Sequence, residues 1–256
     1  MGKLDHRSLR GSFSAAGSSK NPPIVFIHGI RLGRHIWDDH ARFLQNDFHV
    51  ITLDLPGHST LIDAALTQEN VDQQMLHIFD STLDRAPVLV GYSLGGLLAI
   101  NFIQRHPERA AGLVLAGATI DVTGWKRNAY ELLVARAIVM PSRVCTRMLA
   151  FFFHLTLPRK VAKTIISTPF NYDVFEQSRD MIRDTRFSEK LRGYSNPALF
   201  VTGQFDLIFR PEQGYFAKQC GARSTIIPLT DHVVPLRRPR QFSEIVRSFT
   251  LEVQNQ

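Results

Sequence analysis

Two cysteines, Cys145 and Cys220, are all that this 256-residue chain contains. They are too few for a disulfide framework and too far apart to read as a metal-ligand pair. Long apolar runs are also missing: Leu132 to Leu157 is broken by Arg136, Pro141, Arg143 and Arg147, which excludes a bilayer-spanning helix. No hydrophobic segment follows Met1, so no secretory signal is expected. The chain shows no metal-ligand cluster, no phosphate-binding glycine loop and no nucleotide fingerprint. It carries 30 Lys and Arg against 23 Asp and Glu, a formal charge of +7, yet no nucleic-acid-binding module accompanies that excess. Repeats and low-complexity tracts are absent. Together these gaps predict a reduced, cytoplasmic, soluble protein with no metal, no cofactor, no transmembrane segment and no nucleic-acid partner.

What is present suits one large α/β domain, because 44% apolar residues can fill a sizeable core at this length. Short runs rich in β-branched residues predict strands at Ile24–His28, Phe48–Asp54, Val88–Tyr92, Ala111–Ala116, Ala198–Gly203 and Ser224–Pro228. Between them, Ile36–Leu44, Val71–Leu83, Leu94–His106, Glu212–Cys220 and Phe242–Val253 place apolar residues three and four apart, as helices do. Alternation of this kind predicts a mostly parallel central sheet with helices on both faces. The pattern lapses from Asp121 to Arg192, which is helical in composition and aromatic. Residues 1–120 and 193–256 therefore form the expected core, and 121–192 a helical cap or lid inserted late in the sheet. Between Asp121 and Asn196 stand thirteen basic and seven acidic residues, +6 of the net +7. Such a run is a solvated face or a docking face for an acidic carrier or a membrane surface.

The run Val88-Leu89-Val90-Gly91-Tyr92-Ser93-Leu94-Gly95-Gly96 sets one serine between glycines where a buried strand gives way to a helix. A hydroxyl becomes a useful nucleophile when a sharp turn holds it out beside a base and oxyanion donors. A base and an orienting carboxylate must follow, and in the fold that carries this elbow the order is serine, acid, histidine. Downstream, Leu199 to Asp206 ends a strand on an acid, and Ile226 to His232 ends another on a histidine. Asp121 and Asp231 are rival carboxylates. The N–H of Leu94, which opens a helix, and that of Ile30, in the loop after the first strand, are the candidate oxyanion donors. Arg31, Tyr92, Trp125 and Phe152 are the candidate substrate-binding side chains, while His28 and His58 read as loop-holding residues.

With these landmarks in place the chain resembles the serine-nucleophile α/β-hydrolase superfamily, in its lid-bearing branch of carboxylesterases and lipases. The matching residues are His28-Gly29, Trp37, Asp54-Leu55-Pro56-Gly57-His58-Ser59, the elbow, His106-Pro107-Glu108-Arg109, Gly203 with Asp206, and His232 with Pro239. The resemblance implies the α/β-hydrolase fold, Ser93 as nucleophile, Asp206 as orienting acid, His232 as base, and Ile30 and Leu94 as oxyanion donors. It departs from the pattern at Ile30-Arg31-Leu32-Gly33, where a glycine-rich stretch is common, and at Asp231, where a glycine is common. The expected activity is hydrolysis of small carboxylic esters, with short to medium acyl chains, through an acyl-enzyme. The alternative is an esterase or thioesterase whose substrate rides on an acidic acyl carrier protein, and a third reading is a ligand receptor without turnover.

Overall fold

The computed structural model describes residue 4, residues 6–139, residues 151, 155 and 157, and residues 159–255. Seven strands form one sheet: β1 (Phe13–Ala16), β2 (Pro23–Ile27), β3 (His49–Leu53), β4 (Val88–Tyr92), β5 (Gly112–Ala116), β6 (Ala198–Gly203) and β7 (Arg223–Ile227), in the order β1-β3-β2-β4-β5-β6-β7. All pairs are parallel except β1 with β3, which is antiparallel. Every residue of β2 to β6 is buried, which is why those strands read as near-continuous apolar runs. The sixfold strand pattern expected from the sequence is present, and β1 is an addition to it. That strand is short, half exposed and takes its register from β3, Phe13 opposite Leu53, so its own four residues carry little periodic signal.

The helices are α1 (His6–Gly11), α2 (Asp38–Leu44), α3 (Gln68–Thr82), α4 (Leu94–Arg105), α5 (Gly124–Val139), α6 (Arg159–Ser167), α7 (Asp173–Ile182), α8 (Phe187–Lys190), α9 (Arg210–Cys220), α10 (Val234–Arg237) and α11 (Pro239–Gln254). Strand residues alternate in direction and so feed two separate cores. Val25, Ile27, Leu89, Leu113 and Leu115 face one side, where α3, α4, α8 and α9 contribute Met75, Ile78, Leu98, Phe102, Phe187 and Phe216. Ile24, Phe26, Val88, Val90, Val114 and Ala116 face the other, against Trp37, Leu44, Phe242, Val246 and Phe249. The helices α5 to α8 lie in the chain between β5 and β6, where the sequence loses its strand pattern.

From β2 the chain moves outward to β3, then returns to the far side of β2 as β4. That reversal is a topological switch point, where open α/β sheets form their sites beyond the carboxyl ends of the strands. Parallel register brings those ends together: Ile27 pairs with Gly91, Tyr92 with Ala116, Ala116 with Val201 and Gly203 with Ile227. Loops leaving β2, β4, β5, β6 and β7 therefore open at one edge.

Candidate functional site

Ser93 sits between β4 and α4 with φ 52° and ψ −121°, a conformation that costs a non-glycine residue about 1–3 kcal/mol. The surroundings hold it there. Its N–H donates to Ala116 O at 2.8 Å, and its carbonyl accepts from Gly96 and Leu97 at 2.9 and 3.2 Å. A Cβ on Gly95 would stand 2.4 Å from His28 O, and one on Gly91 would stand 2.5 Å from Gly96 Cα, so strand, helix and the β2 loop close around the serine only because both positions lack side chains.

His232, in the loop after β7, places Nε2 3.1 Å from Ser93 Oγ and Nδ1 3.0 Å from Asp206 Oδ2. A carboxylate accepts only, so Nδ1 carries the proton and donates, leaving Nε2 to accept from the serine hydroxyl. Asp206 is 2% exposed. Its other oxygen, Oδ1, accepts the N–H groups of Ile208 and Phe209 at 3.2 and 3.0 Å. The carboxylate is thus satisfied on both oxygens and cannot turn without losing hydrogen bonds.

The rival carboxylates are engaged elsewhere. Asp231 binds Arg237 Nε and Nη2, each at 2.8 Å. Burial pushes the Asp231 carboxyl up, but the Arg237 hydrogen bonds and charge, with the N–H of Val233, outweigh it and hold the group below its ordinary value. Asp121 accepts the N–H and Oγ–H of Ser188 at 2.9 and 2.6 Å.

The loop after β2 runs beside the serine: a Cβ on Gly29 would lie 3.2 Å from Ser93 Cβ. Ile30 follows it, and the N–H groups of Ile30 and Leu94 donate to no protein acceptor among the described residues. Leu94 is the first residue of α4, so its N–H belongs to the helix's unsatisfied, positively poled end. His28 and His58 brace this loop as neutral rings. His28 donates from Nδ1 to Gly29 O at 2.7 Å and accepts from Leu55 N–H at 2.9 Å. His58 donates from Nδ1 to Pro56 O at 3.0 Å and accepts from Arg31 N–H at 3.1 Å. Burial pushes both rings down, His58 to about 3 with the help of neighbouring His28, which keeps them uncharged.

Of the four candidate pocket side chains, Arg31 has φ 61° and lays its guanidinium over the Phe170 ring at 4.3 Å, joining the β2 loop to the 121–192 segment. Tyr92 is 3% exposed, beneath the elbow with its ring 5.3 Å from that of His232, so it stands behind the imidazole rather than on an open wall. Burial, then the charges of Asp206 and Asp231, push its phenol far above the ordinary value, and it stays protonated. Trp125 is 75% exposed at the start of α5, turned to solvent rather than lining an enclosed pocket. Phe152 lies outside the described residues.

Three residues escaped sequence reasoning. Gly117, directly after β5, has φ 55°, and a Cβ there would meet His232 Cε1 and Nδ1 at 2.7 Å. Thr119 donates its hydroxyl to Phe209 O at 2.7 Å, tying the β5 loop to the acid loop. Phe209 stacks on His232 with ring centroids 4.7 Å apart and planes 16° from parallel. The glycine was the findable one, since it follows a buried strand at the edge where the other site residues emerge.

The sequence profile described as "Alpha/beta hydrolase family" matches residues 24–245. A pimeloyl-[acyl-carrier protein] methyl ester esterase from Nitrosospira multiformis is 25% identical over 248 residues, covering 89% of this chain and 94% of its own. Among solved structures, a thermophilic esterase from Thermogutta terrifontis superposes with a TM-score of 0.78 at 24% identity, over 94% of this chain and 93% of that one. A carboxylesterase structure from Nitrososphaera gargenis gives 0.81 at 17% identity, over 95% and 94%.

Proposed function

Because the chain belongs to the alpha/beta hydrolase family, we propose that it is a carboxylic-ester hydrolase acting through an acyl-enzyme on Ser93. The observation that carries this reading is the unbroken hydrogen-bond chain from Ser93 Oγ through His232 to buried Asp206, at the carboxyl edge of the sheet. As Ser93 Oγ attacks the ester carbonyl, His232 Nε2 takes its proton and Asp206 holds the resulting imidazolium. Negative charge developing on the carbonyl oxygen is received by the N–H groups of Ile30 and Leu94, each contributing about 3 kcal/mol to lowering the barrier. The imidazolium then protonates the departing alcohol. Water, deprotonated by the same imidazole, attacks the acyl group and releases acid and serine. Side chains and backbone groups supply every step.

The 121–192 segment acts in this reading as a lid over the acyl chain, with the Arg31 guanidinium on the Phe170 ring as one of its contacts with the core. Among the described residues no helix is long and apolar enough to cross a membrane, and two cysteines fit a reducing cytoplasm. Replacing Ser93 with alanine is the test. Hydrolysis of p-nitrophenyl acetate is expected to fall at least about 10³-fold, and a variant with most of its activity defeats the mechanism.

A second reading places the ester on an acidic acyl carrier protein, as the Nitrosospira relative's description states for that protein. The basic excess of the 121–192 segment supports it, although several of the described cations are already paired: Lys126 with Glu212, Arg127 with Asp184, Arg183 with Glu131 and Arg186 with Glu189. Turnover of a carrier-borne methyl ester that drops steeply between about 50 and 500 mM salt, while a free ester is unaffected, is the expected signature. A flat salt response removes the carrier.

A further inference from the structure

We propose that Phe209 is a positioning residue for His232, and that its ring face stabilises the imidazolium while the bond between Ser93 Oγ and the acyl carbon forms. The proposal rests on the acyl-transfer reading above and concerns a residue that contacts the base, not the substrate.

The geometry is specific. The Phe209 ring lies 4.7 Å from the His232 ring at an interplanar angle of 16°, an offset stack, and the Tyr92 ring packs at 5.3 Å and 35°. The position of the Phe209 ring is built into its own peptide. Phe209 N–H donates to Asp206 Oδ1 at 3.0 Å, and Asp206 Oδ2 holds His232 Nδ1 at 3.0 Å, so one carboxylate aligns both the stacked ring and the ring it stacks on. Phe209 O accepts from buried Thr119 at 2.7 Å, which ties the other end of the residue to the loop after β5. Three loops thus place one aromatic face against the base.

An aromatic face carries negative charge density and attracts a cation more strongly than a neutral ring. His232 is neutral before attack and cationic during it, so the stack is stronger in the transition state than in the ground state. Such a difference appears in kcat and not in substrate binding. The charged and titratable groups around the imidazole leave room for this contribution. Asp206 is the carboxylate that touches it. Asp231 is spent on Arg237, and Asp121 on Ser188. The Tyr92 phenol stays protonated through burial. From the α9 side, Arg210 turns its guanidinium to Gln204 O, and on the β5 loop Gly117 and Thr119 bring no charge.

The experiment keeps the ring and drains its face. Mono-, di- and trifluorinated phenylalanines at position 209 are compared with Phe209→Leu and Phe209→Tyr, on p-nitrophenyl acetate and with a fluorophosphonate probe. In the probe reaction the Oγ–P bond forms, the P–F bond breaks, fluoride leaves and the serine proton passes to His232. The leucine variant is expected to lose about three- to tenfold in kcat with KM within about twofold, and tyrosine to restore the rate. The fluorinated series is expected to lower kcat and the labelling rate stepwise at constant shape. A trifluorinated ring at the wild-type rate, a leucine variant at the wild-type rate, or a loss confined to KM overturns the proposal. Failure of the probe to label Ser93 defeats the acyl-transfer reading and this proposal with it. Labelling that ignores fluorination defeats this proposal alone.

Discussion

Gly117→Ala delivers a methyl group to the imidazole of His232 without substituting any residue of the proposed triad. The added Cβ would stand 2.7 Å from both Cε1 and Nδ1. Comfortable carbon contacts lie near 3.5–4.0 Å, so ring and methyl must separate by roughly 1 Å. The glycine cannot easily yield, because its φ is 55° and its N–H is bonded to Val201 O at 3.0 Å beside β5. If the ring moves, contacts of 3.0 Å to Asp206 and 3.1 Å to Ser93 stretch past the range of a useful hydrogen bond. A displacement of about 1 Å at a reacting group costs on the order of 100-fold in rate. Alanine at positive φ adds about 1–2 kcal/mol of destabilisation. The expected result is a folded variant, by urea titration, whose kcat/KM for p-nitrophenyl acetate is down about 100-fold. A kcat/KM within threefold of wild type would refute the reasoning.

The two carboxylates near the base separate by substitution. Asp206→Asn removes the acceptor that orients Nδ1–H and is expected to lower kcat by about 10⁴, whereas Asp231→Asn, which breaks an ion pair with Arg237, is expected to stay within tenfold; equal losses contradict the assignment. Acid stability follows from the buried neutral histidines. Burial pushes His40 down to about 4 and His58 to about 3, so the unfolded chain takes up their protons first as pH falls below about 6.5. The stability that both contribute is complete above pH 6.5 and lost as pH falls toward those values, about 2–3 kcal/mol from each by pH 4.5, and equal urea midpoints at pH 7.5 and 4.5 contradict it. Trp37 is fully buried between Phe26 and Phe242, and Trp37→Ala is expected to lose about 3–5 kcal/mol in urea unfolding; a loss below 1 kcal/mol refutes its core role.

The parallel core was legible because a strand covered on both faces must be apolar along its whole length, as Val88 to Tyr92 and Ala198 to Gly203 are. Phe13 to Ala16 escaped notice because an edge strand needs no such run, and its partner β3 lies far along the chain. Ser93, Asp206 and His232 were legible for a related reason: each follows the carboxyl end of a strand, and parallel register brings those ends to one edge. Asp206 was preferred to Asp231 for its place after a strand and for the resemblance, and the structure adds that Asp231 is occupied by Arg237. Gly117 and Phe209 were hidden more deeply. Their meaning lies in a ring more than 20 residues away in the chain, and no local pattern encodes that distance. Aromatic content also gives no direction: Trp125 faces solvent, while Tyr92 is buried beneath the elbow.

Intact-protein mass spectrometry of a rapidly quenched mixture with p-nitrophenyl acetate, followed by peptide mapping, tests the central claim most directly. The account predicts one acetyl group, carried on Ser93, gained by the wild type before steady-state turnover and absent from Ser93→Ala. An acetyl group on another residue, or a Ser93→Ala variant that turns over ester at the wild-type rate, would contradict it.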